Sequence, residues 1–249
     1  MKKYTIAITT FSKRYNLLKS TLEKVREFNT ESDIIICING EKDADFNQEY
    51  RKKVLNLCSL HNNVFPIFFC ETRGLSKMWN TCIIHSPTED LLILSDDIRI
   101  HSKAIFNFTS SLINSNNYKG ICKINNTFSF FIVNKNLMNQ VGYFDERLLG
   151  FGQEDKDITY RLLCMDIPVQ DSKVDDLDDI DSDIRHNEII NNQSKYSKFN
   201  ESFILNKKYK KVAKGIKGIL PFPCKKVLED QNPYPHESFF MENKSKSLK

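Results

Sequence analysis

Short apolar runs alternate with stretches of helical period along the first half of the chain. Tyr4 to Thr9 reads as a buried strand. Beyond it Leu18, Leu22, Val25 and Phe28 recur at helical spacing, with Ser12 placed to cap that helix. Asp33 to Ile38 is a second strand, apolar on both faces as a parallel sheet requires. A helix over about Glu49 to Leu60 follows, then a strand at Val64 to Phe69. The next helix starts after Gly74 and runs to His85, just before Pro87. Leu91 to Leu94 is a fourth buried strand, and Ser102 can cap the helix after it. Later, Phe128 to Val133 reads as a strand, and a helix spans about Gln153 to Met165 behind the loop Gly150-Phe151-Gly152.

Repeated β-α units predict an α/β fold with a doubly wound, mainly parallel central sheet. Ligands of such sheets sit beyond the carboxyl ends of the strands. Here those ends carry Thr9-Thr10, Asn39-Gly40, Arg73-Gly74 and Ser95-Asp96-Asp97. Polar residues therefore collect where a ligand is expected.

Three features carry chemistry. Asp96 and Asp97 follow directly on a buried strand, a costly place for two carboxylates unless a cation or solvent reaches them. Hard divalent cations prefer such oxygen ligands and bridge to diphosphates. A solvated turn with two ordinary acids is the other reading. Glu154, Asp155 and Asp157 crowd the first turn of a helix, where acids are favoured by ~0.3–1 kcal/mol each. Asp157 and Arg161, spaced i, i+4, read as a surface pair. Asp155, behind the glycine loop, is the candidate proton acceptor. His186 follows in Ile184-Arg185-His186-Asn187.

Taken in order, these segments resemble the GT-A fold glycosyltransferases, and most closely the inverting family 2 enzymes. The resemblance covers roughly residues 4 to 209. Thr9, Thr10, Phe11 and Arg14 look like the family's first nucleotide-contacting turn, and Asn39-Gly40 is similar to the turn that contacts the base. Arg73-Gly74 through Trp79-Asn80 resembles the segment leading to the metal motif, which Ser95-Asp96-Asp97 matches. Glu154-Asp155 matches the acidic pair whose Asp serves as base. His186 lies where many GT-A enzymes supply a further metal ligand. Two departures stand out: Ser95 replaces an acid, and Asn39 is followed by Gly-Glu-Lys-Asp43.

The resemblance implies a nucleoside diphosphate sugar as donor, uridine-linked, with Mn²⁺ or Mg²⁺ held by Asp97 and His186. Asp96 and Ser95 would contact the donor, with Arg73 and Asn80. Asp155, assisted by Glu154, would act in catalysis, with inversion at the anomeric carbon. The acceptor would be a glycan or lipid-linked glycan, and the setting bacterial-type surface polysaccharide synthesis by a hexosyl- or N-acetylhexosaminyl-transferase. Two other readings remain: a catalytically silent nucleotide-sugar-binding protein, or a sugar nucleotidyltransferase. Against the latter, Thr9 to Lys13 contains no glycine for a phosphate loop. Asn125–Ser129 and the stretch Asp171–Asp183, with seven Asp, are expected to shape specificity. Trp79, the only tryptophan, is expected in the core.

Composition sets the remaining bounds. The chain has 249 residues, 40% hydrophobic and 27% charged, ordinary for a soluble globular protein. No segment approaches the ~20 apolar residues of a membrane span. The opening apolar run stops at Thr9-Thr10 and meets Lys13 and Arg14, so it reads as a strand rather than a secretory signal. Seven scattered cysteines without a Cys-x-x-Cys pair fit reduced core thiols. A cytoplasmic location is expected. From Lys207 onward eleven Lys meet four acids, so the chain's +4 net charge is a basic tail on a mildly acidic body. Residues 1–206 are read as the catalytic domain and 207–249 as a basic extension. Its interleaved Lys207, Lys208, Lys210, Lys211, Val212 and Ile216 suit peripheral contact with an anionic membrane face, or a solvated end. Nucleic acid is not an expected partner, because the body has no basic patch with aromatic interleaving.

Overall fold

A computed structural model describes residues 2–11, 13–41, 47–179 and 196–204. His186 and the basic tail lie outside these residues. The chain forms two compact units. The first is Met1–Arg73, Thr81–Leu137 and Gln170–Ile180, and the second is Gly74–Asn80, Met138–Val169 and Asp181–Lys249.

The elements follow the apolar pattern closely. They are β1 (Tyr4–Phe11), α1 (Tyr15–Phe28), β2 (Ile34–Asn39), α2 (Gln48–Ser59), β3 (Val64–Phe68), α3 (Leu75–His85) and β4 (Asp90–Ser95). Then come β5 (Ile98–Ile100), α4 (Ala104–Ile113), β6 (Ile121–Ile124), β7 (Thr127–Asn134), α5 (Lys135–Val141) and α6 (Glu154–Cys164). Two short strands, β8 (Gln170–Ser172) and β9 (Leu177–Asp179), fall within the Asp-rich stretch.

In the first unit the sheet has seven strands in the order β3-β2-β1-β4-β7-β6-β8. The β1–β2, β1–β4, β2–β3 and β6–β8 pairs are parallel, while β7 runs against both of its neighbours. Thus β7 alone is reversed in this sheet, which is α/β and mainly parallel as the sequence predicts. Every residue of β2 is buried, consistent with a strand covered on both faces. One face holds Ile6, Ile8, Ile36, Leu92, Leu94 and Ile132, packed with Leu18, Leu22 and Val25 of α1 and Val54 and Leu57 of α2. Burial of one such aliphatic side chain is worth ~1.5–3 kcal/mol.

Two helix starts differ from expectation. The N-cap of α1 is Arg14, with no side-chain cap bond, and Ser12 lies outside the described residues. The backbone of Arg14 instead turns the chain from β1 into α1: its N–H donates to the Phe11 carbonyl at 3.1 Å. At α4 the cap position falls on Lys103, while the Ser102 hydroxyl accepts from the Ala104 N–H at 3.2 Å. Cys37, Cys58, Cys82 and Cys122 are buried and Cys70 is exposed, none of the five in a disulfide.

Candidate active site

The register of β1 against β4 decides which polar residues meet. Thr9 pairs with Ser95, so Thr10 and Phe11 emerge from β1 beside the Asp96-Asp97 turn. The Asp96 N–H donates to the Thr9 carbonyl at 3.2 Å, continuing the ladder one step past the strand. Thr10 donates its hydroxyl to one Asp96 carboxylate oxygen, and Arg14 Nη1 donates to the other at 2.6 Å. Arg14 Nη2 reaches Asp97 at 3.2 Å, and Ser95 donates its hydroxyl to Asp97. Thr21 of α1 donates to the Asp96 carbonyl at 2.9 Å. Five of the residues singled out in the sequence therefore form one network: Thr10, Arg14, Ser95, Asp96 and Asp97. Thr9 supplies its backbone to it, and Phe11 lies under the Arg14 guanidinium at 5.8 Å.

Thr10, Asp96 and Asp97 are buried in this network, and Arg14 and Ser95 are partly exposed. Burial pushes the Asp96 carboxyl up to about 7, while Arg14 and Thr10 pull it down and Asp97 pushes it further up. Tyr50 of α2, which nothing in the sequence flagged, donates its hydroxyl to the Phe11 carbonyl at 3.1 Å. Burial pushes that phenol up to about 12, so it stays a donor at neutral pH. The donor atoms around Asp97 are carboxylate and hydroxyl oxygens, the set that Mg²⁺ and Mn²⁺ prefer. Among the described residues no group of three or more His, Cys, Asp or Glu is placed to hold a metal ion. Asp97 and Ser95 thus offer oxygen donors to a hard cation, short of a full ligand set.

Asn39 behaves as a clamp. Its amide donates to the Arg73 carbonyl at 2.8 Å and accepts from the Arg73 N–H at 2.7 Å and the Gly40 N–H at 3.0 Å. A Cβ on Gly40 would fall 2.4 Å from the Glu71 backbone, so only glycine lets the two segments approach this closely. The Asn39 amide is buried and hydrogen-bonded to the backbone on both its oxygen and its nitrogen. Arg73 is set beyond β3 by the same clamp.

In the second unit, Asn80 is likewise committed. Its amide donates to the Phe144 carbonyl and to Glu146, at 2.8 and 2.9 Å, and accepts from the Phe144 N–H. With both N–H groups used and no exposure, Asn80 supports its own segment. Trp79 packs on Phe144 with ring centroids 4.8 Å apart, the core role expected of it.

The acidic helix start separates its two candidates. Glu154 is buried and takes the Gly152 N–H with both carboxylate oxygens, at 2.9 and 2.7 Å. Asp155 is exposed. Gly150 and Gly152 have φ of +56° and +111°, and Gln153 has φ of +80°, so the loop needs residues that tolerate left-handed backbone. Glu154 thus fixes the loop, a positioning role, and Asp155 is the carboxylate open to solvent. The Asp157–Arg161 pair forms, but in the interior rather than on the surface, with Arg161 only 1% exposed.

Burial pushes the Glu154 carboxyl up to about 8 from 4.5, against the backbone hydrogen bonds that lower it. The folded chain then holds a proton that the unfolded chain has released between these values. Stability is therefore expected to fall as pH rises from about 4.5 to about 8. Glu154→Gln should flatten that fall, read as urea midpoints from pH 5 to 8. Equal slopes in both proteins would mean that Glu154 is ionised in the fold.

The reversed β7 in a mainly parallel sheet, with Ser-Asp-Asp closing β4, is the arrangement of a GT-A fold protein. No family model matches the chain. It is 26% identical over 195 residues to an uncharacterized glycosyltransferase of Acanthamoeba polyphaga mimivirus, a match spanning 65% of this chain and 73% of that one. Among solved structures it resembles the mannosyltransferase PcManGT of Pyrobaculum calidifontis, in complex with GDP-Man and Mn²⁺. The TM-score is 0.58 at 11% identity, over 70% of this chain and 56% of that chain, little more than half its length. It also resembles glucosyl-3-phosphoglycerate synthase of Mycobacterium tuberculosis, in complex with Mn²⁺, UDP and glucosyl-3-phosphoglycerate. There the TM-score is 0.58 at 7% identity, over 81% of this chain and 79% of that chain. The fold is GT-A, and the sequence relative is a glycosyltransferase.

Proposed function

We propose that this chain is a divalent-metal-dependent glycosyltransferase that moves a sugar from a nucleoside diphosphate sugar, UDP-linked, to an acceptor hydroxyl. The observation that carries the reading is the Asp96–Asp97 pair, held by Thr10, Ser95 and Arg14 where β1 and β4 end. Both solved neighbours described above bind a nucleotide and Mn²⁺ on this fold.

In this reading Asp97 and His186 would hold Mn²⁺ or Mg²⁺, whose charge stabilises the leaving diphosphate. Thr9, Thr10, Phe11, Arg14, Ser95 and Asp96 line the donor, and Arg73 faces phosphate. Asp155 takes the proton of the acceptor hydroxyl. The acceptor oxygen bonds to the anomeric carbon as that carbon's bond to the phosphate oxygen breaks, inverting its configuration. A glycan or lipid-linked acceptor in surface polysaccharide synthesis suits this chemistry, and a basic tail at the inner membrane face suits a lipid-linked one. Among the described residues no helix is long and apolar enough to cross a membrane.

A nucleotide thermal-shift series with and without Mn²⁺ tests the site. UDP or a UDP-sugar should raise the melting temperature only with Mn²⁺, and Asp97→Ala should abolish the shift. A ligand at a hundredfold excess over its dissociation constant stabilises by ~2.7 kcal/mol. An Asp97→Ala protein that keeps the full shift would sink the metal assignment.

A further inference from the structure

Arg14 presents one guanidinium to both acids at once. Nη1 donates to Asp96 at 2.6 Å, and Nη2 donates to Asp97 at the longer distance of 3.2 Å. The two legs differ in kind. Asp96 is fully buried, and its second oxygen is taken by Thr10, so the short leg is an anchor. Asp97 is the acid assigned to the metal, and its contact with Arg14 is the longer one. The Arg14 backbone is fixed as well, donating to the Phe11 carbonyl and accepting from the Leu18 N–H at 3.0 Å. Its side chain is only 16% exposed, and a guanidinium does not lose its proton in proteins.

We propose that Arg14 is a built-in competitor of the metal, which holds Asp97 in the metal-free protein and releases it when cation and diphosphate arrive together. The inference rests on the metal-dependent reading above. A divalent cation alone must displace Nη2 from Asp97 and then sit beside the positive charge it displaced. Arg14 gains nothing in return, because Asp96 remains its single partner. A diphosphate changes the balance. Its oxygens give Nη2 a new anionic acceptor and give the cation further ligands, so Arg14 keeps two partners and Asp97 passes to the metal. Cation and nucleotide therefore bind with positive coupling, and coupling of binding free energies is reciprocal. Specificity follows from the same device, because a metal not accompanied by a diphosphate is disfavoured.

The experiment is direct Mn²⁺ titration of the full chain by electron paramagnetic resonance, with and without saturating UDP and, separately, GDP. Wild type should bind free Mn²⁺ weakly and about tenfold or more tightly with one of the nucleotides. Arg14→Gln should bind free Mn²⁺ about tenfold more tightly than wild type, and the nucleotide should then add little. Arg14→Lys keeps a charge but cannot span both acids, so its free-Mn²⁺ affinity should fall between the two. It also carries the test if the Gln variant fails to fold. Wild-type coupling with free-Mn²⁺ affinity unchanged or weakened in the folded variants overturns this inference alone. Wild type that binds no Mn²⁺ with either nucleotide overturns the metal-dependent reading, and this inference with it.

Discussion

Asp155→Asn is expected to lower sugar transfer by roughly 10²–10⁴-fold, the usual contribution of a positioned general base. It should leave nucleotide binding and the fold intact. The substitution is nearly isosteric and removes only the ability to accept a proton. The local structure makes it a clean test. Asp155 is exposed on the first turn of α6, while its neighbour Glu154 is buried and fixes the Gly152 N–H. The positive end of a helix dipole favours an ionised carboxylate at that place. Loop shape therefore depends on Glu154 and proton transfer on Asp155, and the two can be separated. Initial rates with donor and acceptor, paired with the Mn²⁺-dependent thermal shift, give the comparison. Transfer near the wild-type rate would remove Asp155 from the mechanism.

The parts of this architecture that were legible in the sequence are those whose signal is local. Apolar runs placed β1 to β4, and the Leu18, Leu22, Val25 stripe placed α1. The ends of these elements placed Thr10, Arg14, Asp96 and Asp97 near one another in expectation, and the β1–β4 register brings them together. What was not legible depends on partners distant in sequence. The strands β5, β8 and β9 have three residues each, too short for a period to show. They exist because β9 pairs with β5 and β8 pairs with β6. The Asp-rich stretch is tied down by Asn125, whose amide donates to the Val174 and Leu177 carbonyls. Asn39 and Asn80 read as ligand contacts through the family resemblance, which carries no sign of what else holds them. Their backbone partners lie 34 and 64 residues away and leave no mark on the local pattern. Tyr50 escaped for the same reason, since its acceptor Phe11 lies 39 residues before it.

The same blindness to distant partners governs Arg161, where the second large effect is expected. Spacing alone placed Asp157 and Arg161 on one helix face, and a surface pair at i, i+4 is worth only ~0.3–0.5 kcal/mol. In the structure Arg161 uses all five N–H groups. Nε and Nη2 donate to Asp157 at 3.1 and 2.9 Å, and Nη1 donates to the Val141 and Gly142 carbonyls at 3.0 and 2.9 Å. Nη2 also donates to the Tyr143 carbonyl at 2.7 Å. Val141 is the last residue of α5, where carbonyls lack intrahelical donors, and Gly142 just beyond it has the left-handed φ of +83° usual there. Arg161 is thus the C-terminal cap of α5 supplied from α6. Arg161→Leu removes the cap and leaves the Asp157 carboxylate buried without this cation. Breaking a buried pair from one side costs about 3–5 kcal/mol, a large share of the ~5–15 kcal/mol that holds a typical domain folded. Arg161→Lys keeps the charge but has only three donors for the five contacts, so it should cost less than Leu and still more than a surface pair. Urea unfolding reads both as shifts of the midpoint at constant slope. A loss below about 1 kcal/mol in the Leu variant would return the pair to the surface class, where the sequence placed it.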